Sequence, residues 1–398
     1  MNAITGYFRQ LTLKPQGITA VIAAFLPIIA IVSMFPVVPT LIGHFASDPD
    51  AKVKVPLMVA APGLAIAILA PFAGYFVDRF GRRKLLLWCT FFYGVFGCAP
   101  LLLENLNAIF ASRLLLGVTE AGILTGVNTL IGDYWDDKGR KNWLFLQGVF
   151  GPFLAAFVTL AAGFSAKLMW NGVFLIYLIA FPIWIAMVIY VFEPKRTASD
   201  QGPETHESKI AFPMKGALTV AAVTLFSSAL YYVFIISGGL AFNEIGVLDS
   251  ARVGELTFVP SLFVMVGAAI FRLLANRGNA AQLGTFLGLM GVGLAGIGLS
   301  HTVPEMLVAL VIQQTAAGMA VPTLIAWAQT KFEFEHRGRG MGFWTGAFFF
   351  GQFTSPWIVH RLDLSTGSVK GAFVTLGIVA LAGMAFALTK AASTARNR

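Results

Sequence analysis

The sequence predicts an all-α integral membrane protein, and two features of its composition support this fold class. The chain has 398 residues, of which 57% are hydrophobic and only 12% are charged, whereas soluble proteins average about 25% charged residues. Apolar windows of about 20 residues recur along most of the chain, and each is long enough to cross the hydrocarbon core as a helix. Lipid offers no partner for backbone N–H and C=O groups, so each span must satisfy its own, as a helix does.

Twelve transmembrane helices are predicted, in two sets of six. The first set covers 17–42, 55–77, 84–103, 107–131, 142–165 and 170–192, and the second covers 214–240, 255–275, 282–300, 305–329, 340–360 and 370–390. The segment between them is polar, with Pro, Gly and mixed charge, and is typical of a flexible linker. We therefore predict an N-terminal six-helix bundle at 1–192, a cytoplasmic linker at 193–213 and a C-terminal six-helix bundle at 214–398.

The distribution of positive charge predicts the orientation. With the first segment in the cytoplasm and alternating spans, cytoplasmic segments hold 21 of the 28 Lys and Arg residues, outer segments hold six, and Arg113 lies within a span. Cytoplasmic loops of membrane proteins collect Lys and Arg, so both termini are expected in the cytoplasm. The same bias explains the net charge of +9 without a nucleic-acid partner. The short loops suggest a multi-pass protein of a prokaryotic inner membrane.

The two halves also carry matching loop residues. Gly81, after the second span, matches Gly278, after the eighth, at an offset of 197 residues. Lys138-Gly139-Arg140, after the fourth span, matches Arg337-Gly338-Arg339, after the tenth, at an offset of 199. Two matches at nearly the same offset indicate a duplicated six-helix unit, which is an architecture of transporters.

The loop after the second span resembles motif A of the major facilitator superfamily. The residues that carry the resemblance are Gly74, Asp78, Arg79, Gly81, Arg82 and Arg83. The resemblance implies the major facilitator fold, with two six-helix bundles, and it implies that Asp78 faces the N-terminus of helix eleven, where a helix dipole favours an anion. The arginines would add contacts across the cytoplasmic face, so that the motif acts as a conformational latch. The alternative is an ordinary positive loop, which explains the arginines but not Asp78 or the glycine spacing.

The fourth span contains two ionisable residues, Arg113 and Glu120, seven positions apart. Charge within the membrane is costly, so such residues are functional candidates, and this spacing places both on one helix face, which we expect to line a central cavity. Arg113-x-x-x-Gly117 resembles motif B of the superfamily, which implies a role in proton coupling. Glu120 departs from the motif, which usually has a small residue there, and adds a titratable group. The alternatives are a structural ion pair and an arginine that reaches toward an interface.

The fifth span contains a partial match to motif C, the Gly-Pro signature associated with proton-coupled exporters. Gly148, Gly151 and Pro152 match it, whereas Gln147 and the Ala155-Ala156 pair replace glycines of the motif. The alternative is a kinked helix that only packs. Five amides within spans are candidates for lining the substrate cavity: Asn128, Gln147, Gln313, Gln314 and Gln352.

These patterns predict a secondary transporter that works by alternating access and couples the efflux of a lipophilic or amphipathic small molecule to protons. The alternative is a proton symporter that imports a small metabolite, such as an aromatic carboxylate paired with Arg113. An enzyme is not expected, because no cluster of residues has catalytic or metal-ligand spacing. The predicted partners are the substrate, protons and lipid. No cofactor and no metal are expected, and the protein is expected to be a monomer.

Overall fold

A computed structural model of the chain describes residues 15–135, 137–193, 212–333 and 336–396. Within its helices, the side chains at 73, 74, 78, 132, 137, 138, 140–142, 144–149 and 390–396 lie outside this description. The predicted linker at 193–213 falls largely between the described ranges.

The described residues form an all-helical protein with twelve long helical segments. They are α1 (Pro15–His44), α2 (Ala51–Phe72), α3 (Arg82–Leu101), α4 (Leu106–Tyr134), α5 (Asp137–Leu168), α6 (Gly172–Tyr190), α7 (Met214–Glu244), α8 (Ser250–Leu273), α9 (Asn279–Leu299), α10 (Val303–Gln329), α11 (Arg337–Thr366) and α12 (Val369–Arg396). A short helix, Ala73–Phe80, follows α2.

Eleven of these segments contain a stretch that is long and apolar enough to cross a membrane, and α11 is the exception. The α11 helix has 30 residues and is long enough. Its sequence mixes glycines, hydroxyl side chains and Gln352 with its aromatic residues, which lowers its mean hydropathy. A helix of this kind is tolerated in a membrane where its polar face packs against protein.

Each set of six helices has its own apolar core. One cluster of buried side chains comes mainly from α1–α6 and includes Trp143 and Phe174. The other comes mainly from α7–α12 and includes Phe286 and Phe373. The predicted spans thus coincide with the observed helices to within a few residues at most ends. The largest differences are six residues, at the ends of α11 and α12, which both run further than predicted. Differences of five residues occur at the starts of α5 and α8 and at the end of α2.

The first helix is interrupted, and its prolines explain why. It consists of helical pieces Pro15–Ala24, Leu26–Val32 and Val38–His44, with a tight turn at Phe35–Val37 between the last two. Proline has no N–H and disrupts the helical hydrogen bonds around it. The Met34 N–H bonds to the Ile31 carbonyl, so the Ala30 carbonyl, four residues before Met34, is left for another donor.

Gly81 and Gly278, which the sequence predicts to be equivalent, have the same backbone conformation. Gly81 has φ 79° and ψ 151°, and Gly278 has φ 80° and ψ 163°. Residues with a side chain rarely adopt this region. Each glycine directly precedes the helix that follows the loop, α3 or α9, so the two loops that match in sequence also match in backbone conformation at this residue.

Candidate functional site

A cavity of about 540 Å³ lies between the two halves of the molecule. The first half contributes residues of α1, α4 and α5, and the second half contributes residues of α7, α8, α10 and α11. Most of the wall is apolar or aromatic; its charged and polar residues other than tyrosine are Glu120, Thr159, Thr257, Ser261, Gln314 and Gln352. A pocket of this size and polarity suits an organic molecule oriented by a few polar contacts.

Glu120 is the carboxylate of this wall. The residue is 2% exposed, and its Oε1 atom has no hydrogen-bond partner among the described residues. No Lys, Arg or His belongs to the described wall. A buried carboxylate without a partner is costly in an apolar site, so its presence here points to a ligand or a proton.

Arg113 lies behind the wall and not in it. The residue is 1% exposed; its side chain donates to the Tyr177 hydroxyl at 2.6 Å and to the Gly97 carbonyl at 3.3 Å, and it packs over the rings of Tyr177 and Phe174. The described residues show no ion pair between Arg113 and Glu120. The expectation that both residues line the cavity is therefore corrected for Arg113, because its guanidinium finds its partners on α3 and α6.

Two tyrosines that the sequence analysis did not single out connect this region to α1. The Tyr177 hydroxyl donates to the Ala30 carbonyl at 3.1 Å, and the Tyr93 hydroxyl donates to the Leu26 carbonyl at 2.6 Å. Both tyrosines are fully buried. Buried tyrosines usually find a hydrogen-bond partner for the hydroxyl, and an interrupted helix leaves backbone carbonyls free to accept such a bond. The prolines of the first span were therefore the feature of the sequence that could have predicted tyrosine partners for α1.

The predicted amides fall in different places. Gln314 and Gln352 line the cavity. Gln313 lies behind Gln314, fully buried, and accepts a hydrogen bond from its amide at 3.0 Å. Asn128 is exposed and is not part of the cavity wall, which corrects its assignment. The side chain of Gln147 lies outside the described residues.

The two halves contact each other at the side of the molecule opposite the start of α1 and the end of α12, which we call the far side. Lys167 of α5 pairs with Asp249 before α8 at 2.9 Å, and the hydroxyls of Thr40 and Ser250 are 2.8 Å apart. The hydrogen bond from Lys167 holds the pKa of the Asp249 carboxyl below its ordinary value. These contacts close the cavity toward the far side.

The sequence profile of the Major Facilitator Superfamily matches residues 20–251 and 218–397. The chain belongs to the Major Facilitator Superfamily. It is a multi-pass membrane transporter and not an enzyme.

Several superfamily relatives have names that refer to resistance or export. Multidrug resistance protein 1 of Bacillus subtilis is 32% identical over 124 residues, which cover 30% of each chain. Tetracycline resistance protein, class B, of Escherichia coli is 25% identical over 219 residues, which cover 53% of this chain and 54% of the relative. The bacillibactin exporter of Bacillus subtilis is 36% identical over 93 residues, 22% of this chain and 23% of the relative. The matched regions thus span between about a quarter and half of these relatives.

Solved structures share the fold across nearly the whole chain. A D-xylose-proton symporter superposes with a TM-score of 0.73 at 16% identity, over 93% of this chain and 96% of the other. The nucleoside transporter NupG gives 0.73 at 11% identity, over 94% and 98%. A human organic anion transporter gives 0.69 at 16% identity, over 94% and 99%. At these identities the similarity establishes the superfamily fold alone.

The arginines of the motif A segment make their described contacts within the first half. Arg82 pairs with Asp133 at the end of α4, and Arg83 donates to the carbonyls of Val191 and Val188 at the end of α6. This differs from the expected contacts across to the second half, because the end of α6 provides free carbonyls beside the loop. Arg79 is exposed and donates to Tyr75. The side chains at the Gly74 and Asp78 positions lie outside the described residues.

The same loop is also held by Glu193, which lies within the predicted linker at 193–213. Its carboxylate accepts from the backbone N–H groups of Arg82 and Arg83 at 3.0 and 2.7 Å. The first N–H groups of a helix have no partner within the helix, and a negative charge is favoured beside them. Glu193 therefore belongs structurally to the first half.

The motif C-like residues are partly in the wall. Gly151 and Pro152 line the cavity, and α5 continues through Pro152 as one helix. Gly148 lies in the part of α5 whose side chains are not described.

Proposed function

We propose that the protein is a proton-coupled exporter of lipophilic or amphipathic small molecules, and that it favours cations. The observation that carries the proposal is Glu120, a buried carboxylate without a partner in a wall with no positive residue among those described. The aromatic wall suits a lipophilic body, and the carboxylate suits either a cationic group or a proton.

Competition between these two occupants would couple them. A substrate cation and a proton both neutralise Glu120, so one carboxylate cannot serve both at once. When the halves rock and expose the cavity to one side at a time, substrate leaves with the carboxylate ionised behind it, and a proton returns with the carboxylate neutral. In this scheme the termini lie in the cytoplasm, the far side is outside, and the protein works as a monomer.

Two further observations support export. The relatives described above carry names of resistance and exporter proteins, and the Gly151-Pro152 pair of the motif C-like segment lies in the cavity wall. The alternative, import of an aromatic carboxylate paired with Arg113, has less support, because the guanidinium is bonded to Tyr177 and Gly97 outside the wall.

The test uses everted membrane vesicles with an imposed proton gradient and a panel of fluorescent lipophilic cations. Gradient-driven accumulation in the wild type and its loss in Glu120→Gln would support the proposal. Glu104→Gln is the matched control, because Glu104 is an exposed acid between α3 and α4. Coupled transport that survives Glu120→Gln with its pH dependence intact would refute the role of Glu120. Uptake of an aromatic acid by right-side-out vesicles, without cation accumulation in everted ones, would favour the import alternative.

A further inference from the structure

A second cavity, of about 380 Å³, lies at the far side of the molecule. We call it the far-side cavity; its wall includes Pro39 and Lys52 from the first half and Asn243, His360 and Asp363 from the second. The two halves thus enclose it together, at the side where they contact each other.

The far-side cavity is separate from the central one. The two walls have no residue in common. Phe35 lies between them: its ring packs on Phe234 with centroids 4.9 Å apart, and its carbonyl lies directly against Gly239. A molecule in the far-side cavity therefore does not touch Glu120.

Several polar groups of the far-side cavity lack partners in the described part of the chain. The Asn243 Oδ1 atom is buried without a hydrogen bond, which is costly. No hydrogen bond or ion pair of the side chains of Lys52, His360 or Asp363 is found among the described residues. In contrast, both oxygens of Glu244, which also belongs to the wall of the far-side cavity, accept backbone N–H groups, at 2.7 and 3.0 Å.

Two lysines that lie outside the cavity at the same side are paired. Lys54, two residues after Lys52, bonds to Asp48 at 2.8 Å, and Lys167 bonds to Asp249 at 2.9 Å. The far-side cavity thus brings together two opposite charges that have no ion pair among the described residues, Lys52 on the first half and Asp363 on the second.

We propose that the far-side cavity binds a small zwitterion of amino-acid size. Its ammonium group donates to the Asp363 carboxylate, and its carboxylate accepts from Lys52. A metal ion is a poorer match, because no group of three or more His, Cys, Asp or Glu side chains in the described residues has the arrangement of a metal site.

Such a ligand would regulate the transporter. It bridges the two halves at the side that is closed in this structure, so it binds this arrangement better than one in which the halves separate there. A ligand shifts a conformational equilibrium by its difference in affinity for the two states. An external zwitterion would therefore slow the opening of the cavity to the far side without competing for the central site.

The test measures the thermal unfolding midpoint of the purified full chain with glycine, L-serine and L-leucine as zwitterions. L-serinamide, which keeps the ammonium, and L-lactate, which keeps the carboxylate, are the matched probes. We expect at least one zwitterion to raise the midpoint by about 2 to 4 °C at saturation, and neither single-charge probe to do so. Lys52→Gln and Asp363→Asn should each abolish the shift.

Two control variants separate this site from its surroundings. Lys54→Gln should keep the shift, because Lys54 pairs with Asp48 outside the cavity, and Glu120→Gln should keep it because Glu120 belongs to the central cavity. The absence of any shift with the three zwitterions would overturn the proposal. A shift that persists in Lys52→Gln and Asp363→Asn, or that L-serinamide reproduces in full, would do so too. Because no step requires transport, the result is independent of the proposed efflux.

Discussion

The centres of α4 and α10 hold corresponding places in the two halves, and their chemistry differs. In α4, Arg113 is fully buried and is held by Tyr177, Gly97 and two aromatic rings. In α10, Gln313 is fully buried too, and its amide has two hydrogen bonds among the described residues, to the Met290 sulfur at 3.7 Å and from the neighbouring Gln314 at 3.0 Å. The buried centre of the first half is charged, and that of the second half is neutral.

The first helices of the two halves, α1 and α7, also differ. The α1 helix is interrupted and receives tyrosine hydroxyls at Leu26 and Ala30, whereas α7 is continuous over 31 residues. A duplicated fold therefore does not require duplicated chemistry. The buried arginine and glutamate lie in the first half, and the second half contributes an aromatic and amide wall.

The largest effect is expected from the same substitution made in both centres. Arg113→Met should lower the free energy of unfolding by about 2–4 kcal/mol, because it removes two charge-assisted hydrogen bonds and the stacking on aromatic rings. Gln313→Met should cost about 1 kcal/mol or less, since a neutral amide bond is lost. Unfolding of the purified variants in detergent measures both. Equal losses would show that the two centres do not differ in energy.

The second comparison concerns the repeated loops. Gly81→Ala and Gly278→Ala should each cost about 1–3 kcal/mol, because alanine is strained in this backbone conformation. The two losses should agree to within about 0.5 kcal/mol, because the new Cβ at Gly81 would lie at an ordinary contact distance of 3.4 Å from the Glu193 carboxylate and nothing lies within 4 Å at Gly278.

Thermal unfolding of the two variants checks whether their losses of stability are the same. Gly43→Ala is the control, because Gly43 has an ordinary φ and open space around it. A neutral Gly278→Ala would contradict the equivalence of the two loops.

The third comparison separates the two tyrosines of the first half. Tyr177→Phe removes both the acceptor of Arg113 and the donor to Ala30, and should cost about 1–2 kcal/mol; Tyr93→Phe removes a single bond and should cost about 1 kcal/mol. Unfolding measurements should also show that Tyr75→Phe, at an exposed position, changes stability by less than about 0.5 kcal/mol. A larger loss of stability for Tyr93→Phe than for Tyr177→Phe would mean that the single bond to Leu26 contributes more than the two bonds of Tyr177 together.

The smallest effect is expected at the contact between the halves. The pKa of Asp249 is lowered by Lys167, so the pair is complete above the ordinary carboxyl value of about 3.9 and is lost as the pH falls through the lowered value. Both side chains are about half exposed, so the pair contributes little. Spin labels at Ala46 and Leu248, both exposed on the far side, should report longer distances in Asp249→Asn at neutral pH.

The wild type should show the same lengthening only at acidic pH. Asp48→Asn is the control, because Asp48 pairs with Lys54 within the first half. Distances in Asp249→Asn that match those of the wild type at every pH would show that the pair does not help to close the far side.

The sequence carried most of the fold because a bilayer restricts the choices. A span must be a helix about 20 residues long, so the apolar windows predicted the helices closely, including α11, which is too polar for a simple hydropathy criterion. Glu120 was also found from sequence, because an ionisable residue in a span is unusual. The glycine pair at 81 and 278 was found because the loop conformation excludes other residues.

What only the tertiary structure decided is the direction of side chains and their partners. Residues seven apart share a helix face, but the long Arg113 side chain reaches back to α3 and α6 while Glu120 enters the cavity. The predicted amides Asn128 and Gln313 do not line the central cavity either. Helical spacing does not tell which face of a helix meets solvent, protein or cavity. Apolarity along the chain therefore determined that the helices form, and contacts between distant helices determined which of their polar residues are available for function.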